Sequence, residues 1–343
     1  MKVSVVIPTY NDEGTITATV ESALAQKFAD RFEVIVVNDG STDGTRAILA
    51  KFGDRIRVID QANRGVSAAR NAGIRAAAGE YIALLDGDDT WTEDKLAKTV
   101  PVLDENPGCA AVSSNVIGID GAGREVWRYV APEFQHSPTL DEMLEWPWPL
   151  LPSAQVIRRD TLLAIGGFAE EFKPEHWGCE DILVMLLVRE HGEIMYVPDT
   201  LVRYRCRDFH AYLASRLPSR RFEVDSAEAF RAFKRRFEAN TVLARLAREH
   251  FGARGDKIAQ WAIDRTANEL VTAGLMAMHQ GNPGFAQRCY RTSLRYRPLT
   301  FKTYFRLGWA MLPVGAARML SSMVPPGLRR SLSGPPTMEE RPQ

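Results

Sequence analysis

Glu80-Tyr81-Ile82-Ala83-Leu84-Leu85-Asp86-Gly87-Asp88-Asp89 begins as an apolar run and ends in three carboxylates around a glycine. The run reads as a buried strand. A strand that leaves the core on Asp-Gly-Asp-Asp sets several negative oxygens at the carboxyl edge of a sheet, where open α/β sheets bind ligands. Carboxylates this close repel one another unless a positive charge lies between them. A hard divalent cation with oxygen ligands meets that need, and it would attract a phosphate-bearing ligand in turn. The plain alternative is a polar turn, because Asp and Gly are common turn residues.

The preceding residues favour the first reading. Residues 3–7 are rich in β-branched side chains and read as a buried parallel strand. It stops at Pro8-Thr9-Tyr10-Asn11-Asp12. Residues 15–25 have helical spacing. Residues 32–37 form a second strand, which ends at Asn38-Asp39-Gly40-Ser41. Residues 45–52 read as a helix and 56–59 as a third strand. After the turn Asn63-Arg64-Gly65, residues 66–78 form an alanine-rich helix that leads into the strand at 81–85. Strands alternating with helices indicate a mostly parallel, Rossmann-like α/β sheet with helices on both faces. Three strands therefore end in polar residues at one edge, and together they outline a nucleotide-sized crevice. Neither Gly-x-Gly-x-x-Gly nor a Walker-type glycine loop is present. Phosphates there must be held by a metal and side chains, and Arg70, on the alanine-rich helix, is a fork-shaped donor suited to them. Without the neighbouring motifs Arg70 would read as a solvated helix arginine.

Farther along, residues 93–103 read as a helix, 110–119 and 125–130 as strands, and 153–157 as a strand. Trp146-Pro147-Trp148-Pro149-Leu150-Leu151-Pro152 is not helical, since proline breaks the ladder. Its two tryptophans either stack on a sugar or fill the core. His176-Trp177-Gly178-Cys179-Glu180-Asp181 precedes a helix over 182–190. Acids at a helix start complement its dipole, and a carboxylate there can also serve as a general base across from the metal. Residues 202–205 read as strand, and His210 follows.

Past about residue 215 the chain turns helical, up to about 310. The charge balance is formally zero, with 43 basic and 43 acidic residues, so no global field points to nucleic acid. Yet residues 271–338 hold no Asp or Glu, while basic residues recur between positions 288 and 330. Within it, residues 304–324 fit either a basic amphipathic stretch on an anionic membrane surface or a helix packed on the enzyme. Residues 331–343 read as a disordered tail. Four dispersed cysteines without a Cys-x-x-Cys pair suggest a reducing compartment. No signal peptide or membrane-spanning run is expected, which points to the cytoplasm or the inner face of its membrane. The expected division is a catalytic domain over 1–214, a helical region over 215–330 and the tail.

These motifs resemble inverting glycosyltransferases of family 2 with the GT-A fold. The resemblance rests on Val5-Val6-Ile7-Pro8-Thr9-Tyr10-Asn11, Val36-Val37-Asn38-Asp39-Gly40-Ser41-Thr42-Asp43, Asn63-Arg64-Gly65-Val66-Ser67-Ala68-Ala69-Arg70-Asn71, Leu85-Asp86-Gly87-Asp88-Asp89 and Trp177-Gly178-Cys179-Glu180-Asp181. It implies a GT-A nucleotide-diphospho-sugar transferase fold with a C-terminal helical extension. Pro8, Thr9, Tyr10 and Asn11 would border the nucleotide, Asp39 would recognise the base, usually uracil, and Arg70 would lie near the diphosphate. In the Asp-x-Asp motif of Asp86, Gly87 and Asp88, Asp88 would bind Mn²⁺ or Mg²⁺ and Asp86 would face ribose or a metal-bound water. Asp181 would be the catalytic base with Glu180 beside the acceptor, and His210 would help to bind metal or phosphate. The implied reaction moves one sugar, or a few, from a nucleotide-sugar to a saccharide, lipid-linked or protein acceptor in cell-surface polysaccharide or glycoconjugate synthesis. The Gln-x-x-Arg-Trp signature of processive synthases is absent.

Two other readings compete. A sugar-1-phosphate nucleotidyltransferase would show a Gly-x-Gly-Thr-Arg loop after the first strand, where Pro8-Thr9-Tyr10-Asn11 stands instead. A catalytically inactive nucleotide-sugar-binding adaptor would not need an intact Asp-x-Asp and Glu-Asp pair. The oligomeric state is open on the sequence.

Overall fold

The computed structural model describes residues 1–128, 137–145, 151–172, 179–206, 226–279, 283–296, 303–304, 306–307 and 311. The chain divides into two compact units, Met1–Ala214 and Ser215–Gln343.

The first unit is built on one nine-stranded sheet among the described residues, in the order β3-β2-β1-β4-β8-β6-β9-β5, with β7 paired to β6. Strands β1 (Val3–Thr9), β2 (Phe32–Asn38), β3 (Arg57–Asp60) and β4 (Tyr81–Leu84) are mutually parallel, in registers such as Val6 beside Leu84 and Thr9 beside Asn38. The chain winds outward from β1 through β2 to β3, then returns to the other side of β1 as β4. That reversal is a topological switch point, and the crevice opens at the strands' carboxyl ends there. All of β1 and β4 is buried, as parallel strands covered on both faces require. Alternate residues of β1 serve different faces. Val3, Val5 and Ile7 join a cluster with Ile16 and Val20 of α1 (Ile16–Leu24), Leu49 of α2 (Thr45–Ala50), and Leu96 and Val100 of α4 (Lys95–Glu105). Val6 faces Gly73 of α3 (Val66–Ala76), where a Cβ would run into Val6 Cγ1. Each such aliphatic side chain contributes about 1.5–3 kcal/mol on burial, and the small residues of α3 let it lie against the sheet.

The other half of the sheet is mixed. β8 (Val156–Arg158) runs antiparallel to both β4 and β6 (Cys109–Ile119), and β6 runs parallel to β9 (Glu193–Arg205). β5 (Thr90–Trp91) pairs antiparallel with β9, and β7 (Glu125–Arg128) with β6. The strand expected over 153–157 begins three residues late. Pro152–Ala154 forms a 3-10 turn first, which turns Ser153 toward the end of β4. Helices α5 (Leu140–Glu145), α6 (Arg159–Ala164) and α7 (Glu180–Glu190) complete the unit. β9 is much longer than the expected 202–205. Its middle carries Pro198, which cannot donate to a ladder, and the β6 register jumps from Val197 to Thr200 across that point. All four cysteines are free and buried.

The second unit holds α8 (Ser226–Phe251), α9 (Ala253–His279) and α10 (Pro283–Tyr296). Gly252, at φ +55°, ends α8 in the left-handed conformation that glycine adopts without penalty. Pro283 stands at the first position of α10, where its missing N–H costs nothing. Gly274 of α9 lies against the Tyr290 ring of α10, and Ser293 Oγ donates to the Ala267 carbonyl at 3.0 Å. No helix among the described residues is long and apolar enough to cross a membrane. The tail over 331–343 and most of the basic stretch lie outside the described residues.

Candidate active site

The loops after β1 and β2 are stitched together. Asn11, at φ +55°, accepts the Thr42 N–H on its side-chain oxygen at 2.7 Å and donates its own N–H to Ser41 Oγ at 3.0 Å. Asn tolerates this left-handed backbone better than most residues. Asp12 Oδ2 accepts from Thr9 Oγ1 at 2.9 Å and from the Tyr10 N–H at 3.1 Å. Pro8 and Thr9 are thereby held buried at the strand end, while the Tyr10 ring stands 46% exposed.

Asp39 is only 3% exposed. Its Oδ1 accepts from Gln61 Nε2 at 2.7 Å and from the Arg64 N–H at 3.0 Å, and its Oδ2 accepts the Gly65 N–H at 2.8 Å. The carboxylate thus shapes the turn that starts α3, where Gly65 sits at φ +90°. A carboxylate has about four acceptor positions, so Oδ2 retains capacity for a ligand donor.

The acidic turn is clamped from several sides. The Gly87 carbonyl accepts two hydroxyls from α1 and its cap, Thr15 Oγ1 and Thr19 Oγ1, each at 3.0 Å. A Cβ on Gly87 would lie 2.6 Å from Asp12 Oδ2 and 3.0 Å from the Pro8 carbonyl, so only glycine lets the turn sit against the β1 loop. The Asp86 N–H donates to Ser153 Oγ at 3.0 Å, and that hydroxyl donates to Asp89 Oδ2 at 2.6 Å. The Arg205 N–H reaches Asp89 Oδ1 at 2.9 Å, and Arg205 Nε reaches the Asp88 carbonyl at 3.2 Å. Burial, then the charges of Asp88 and Asp86, push the Asp89 carboxyl well above its ordinary range. Burial and the same acidic turn also raise the Tyr204 phenol.

Arg70 joins this turn to α7. It is 2% exposed. Its Nη2 donates to Asp86 Oδ1 at 2.8 Å, its Nη1 donates to Asp181 Oδ1 at 2.9 Å, and Glu180 Oε1 lies 3.6 Å from Nη1. Its Nε has no hydrogen-bond partner. The guanidinium also lies over the Phe168 ring at 4.9 Å, and Asn71 fixes that phenylalanine by bonding both its N–H and its carbonyl at 2.8 Å. Burial works against the cation, but Asp86, Asp181 and Glu180 more than offset it and raise the group further. So the arginine expected near the diphosphate has both Nη groups on carboxylates of the site itself. Asp181 and Glu180 occupy the first turn of α7, both buried. Burial first, then Glu180, raise the Asp181 carboxyl well above its ordinary value, and Arg70 opposes them.

Asp86, Gly87, Asp88, Arg70, Glu180 and Asp181 therefore meet in one place, with Pro8 to Asn11 and Asp39 on the adjoining strand ends. His210, Trp177, Gly178 and residues 146–150 lie outside the described residues. Among the described residues no group of three or more His, Cys, Asp or Glu side chains forms a ready-made metal cage. Thr15, Thr19, Ser153, Phe168 and Arg205 are site-building residues that the sequence reading passed over. A signal existed for the threonines, which lie four apart on one helix face. None marked Ser153.

The sheet and its flanking helices have the GT-A fold. Residues 4–162 match the family model described as Glycosyl transferase family 2. Residues of the chain are 43% identical over 122 positions to the succinoglycan biosynthesis protein ExoO of Rhizobium meliloti, covering 35% of each protein. They are 38% identical over 106 positions to the UDP-Glc:alpha-D-GlcNAc-diphosphoundecaprenol beta-1,3-glucosyltransferase WfgD of Escherichia coli, covering 30% of this chain and 42% of that protein. The matches thus span well under two thirds of these relatives' length. Among solved structures, S. aureus TarS 1-349 shares the fold, with TM-score 0.59 and 24% identity over 90% of this chain and 87% of that one.

Proposed function

We propose that this chain transfers a sugar from a UDP-sugar to an acceptor hydroxyl, with inversion at the anomeric carbon, in the synthesis of a cell-surface polysaccharide or glycoconjugate. The observation that carries the reading is the Arg70 guanidinium, which bonds Asp86 and Asp181 at once. It holds the donor motif and the candidate base in one buried cluster. Support for the donor comes from TarS, which has been crystallised in complex with UDP-GlcNAc and with UDP, and from the UDP-Glc in WfgD's name. Support for the pathway comes from the succinoglycan role in ExoO's name. The lipid diphosphate in WfgD's name favours a lipid-linked acceptor, and the acid-free basic stretch over 271–338 suits an anionic membrane surface.

In this reading Asp181 takes the proton of the acceptor hydroxyl as that oxygen attacks the anomeric carbon, opposite the departing nucleotide diphosphate. Arg70 fixes Asp181 through Oδ1, and burial and the neighbouring Glu180 raise its carboxyl, which strengthens it as a base. Glu180 stands beside it toward the acceptor. Asp39, Tyr10 and the strand ends receive the nucleoside. Asp88 and Asp86 supply hard oxygen donors that suit Mn²⁺ or Mg²⁺, ions often held by one or two carboxylates plus ligand phosphates. When bound, such a cation offsets the charge that develops on the leaving diphosphate.

Asp88→Asn is expected to weaken UDP binding about tenfold or more in manganese, about 1.4 kcal/mol per factor of ten, and to leave binding in EDTA unchanged. Isothermal titration calorimetry measures both. Equal affinities for variant and wild type in manganese would remove Asp88 from the metal site. The reading as a whole is tested by donor hydrolysis across UDP-, dTDP- and GDP-sugars, with manganese, magnesium and EDTA in turn. Metal-dependent release of one nucleotide supports it; nucleotide binding with no turnover of any donor, acceptor included, favours the inactive adaptor, and no binding of any nucleotide defeats both readings.

A further inference from the structure

Asp89 differs from its neighbours in the acidic turn. It is 0% exposed, whereas Asp86 and Asp88 are half-buried. Both of its oxygens are already occupied, Oδ2 by the Ser153 hydroxyl at 2.6 Å and Oδ1 by the Arg205 N–H at 2.9 Å. The Ser153 hydroxyl is buried too and does two things. It donates to Asp89 and accepts the Asp86 N–H, so one oxygen ties the first carboxyl residue of the turn to the last. A hydroxyl has the one donor and the spare acceptor that this requires. Arg205 holds the Asp88 carbonyl through Nε and Asp89 through its backbone N–H.

We propose that Asp89, Ser153 and Arg205 form a positioning clasp that fixes the backbone of Asp86 to Asp88, and that Asp89 touches neither the cation nor the nucleotide. This rests on the donor-site reading above. Three neighbouring carboxylates repel one another and would splay a free turn. Thr15 and Thr19 hold the Gly87 carbonyl, and the clasp restrains Asp86 and Asp88 on either side of it in sequence before any ligand arrives. Pre-organisation of this kind raises affinity by removing the ordering cost from the binding step.

The clasp acts only on the part of donor binding that runs through the acidic turn, which separates it from general damage to the fold. The test is calorimetric titration of UDP into the full chain, with manganese and with EDTA, alongside circular dichroism. Ser153→Ala is expected to weaken binding about tenfold in manganese and to leave affinity in EDTA and the far-UV spectrum unchanged. Arg205→Ala keeps the backbone bond to Asp89 and is expected to show a smaller loss of the same kind; it carries the test alone if Ser153→Ala does not fold. Equal losses in manganese and EDTA would overturn the clasp, as would unchanged binding in both variants. A wild-type chain that binds UDP no better with manganese would remove the donor-site reading itself, and the clasp with it.

Discussion

Asp181→Asn is expected to lower sugar transfer by about 10²–10⁴-fold, the usual worth of a positioned general base, while UDP binding stays unchanged. Asn keeps the shape of the side chain and an oxygen that can accept from Arg70 Nη1. It loses the ability to take a proton. The wild-type rate should also report the group's environment. Burial and the adjacent Glu180 raise the Asp181 carboxyl, and Arg70 only partly opposes them. The base must be ionised to act, so activity is lost as the pH falls through that raised value. The acid limb of the kcat/KM profile should therefore lie above the ordinary aspartate range near pH 4. Single-turnover transfer and UDP titration separate the two effects. Loss of UDP binding in the variant would defeat the assignment, because it would place Asp181 in the donor site rather than at the acceptor.

Arg70→Ala should show the largest loss of stability. The substitution leaves Asp86, Asp181 and Glu180 facing one another without their cation, in a place where Arg70 itself is 2% exposed. Removing one partner from a buried charge cluster costs about 3–5 kcal/mol. The remaining carboxylates can relieve the strain by taking up protons. The deficit relative to wild type should therefore be smaller at acid pH and grow as the pH rises. Urea denaturation at two pH values measures this, and an unchanged midpoint at the higher pH would show that the cluster does not depend on Arg70. Arg70→Lys should fall between the two, since one ammonium cannot bond two carboxylates in the fixed fork of a guanidinium.

The sheet's parallel half was legible because its strands carry their own signal. β1, β2 and β4 are short β-branched or apolar runs that end abruptly in polar turns, and their shared edge follows from the alternation with helices. β9 was largely missed because Pro198 and Asp199 interrupt its pattern, and the bulge that accommodates them is set by pairing with β6, more than 80 residues upstream. At the site, the carboxylates were legible because their clustering is local. Their partners were not. The bond from Arg70 to Asp181 could not be read, because the two residues lie 111 positions apart. Ser153 looks like any strand-edge serine until the 3-10 turn at Pro152–Ala154 aims it at the acidic turn. Long-range hydrogen bonds leave no periodic trace in a sequence, whereas strands, helices and charge clusters do.

The bond from Arg205 to Asp89 spans 116 residues, and it comes from the last residue of β9, the last strand among the described residues. That has a consequence for biosynthesis. As the chain leaves the ribosome, β1 to β4 and their helices can dock early through contacts between near neighbours. The acidic turn is then present with Arg70 beside Asp86, but without Asp181 and without its closing strap. Contacts of such separation form late, because loop-closure entropy must be met before they give any return. The acidic turn's hydrogen-bonded frame is therefore completed only after β9 has been synthesised, and a nascent chain that has not reached Arg205 lacks the proposed donor site in its finished form.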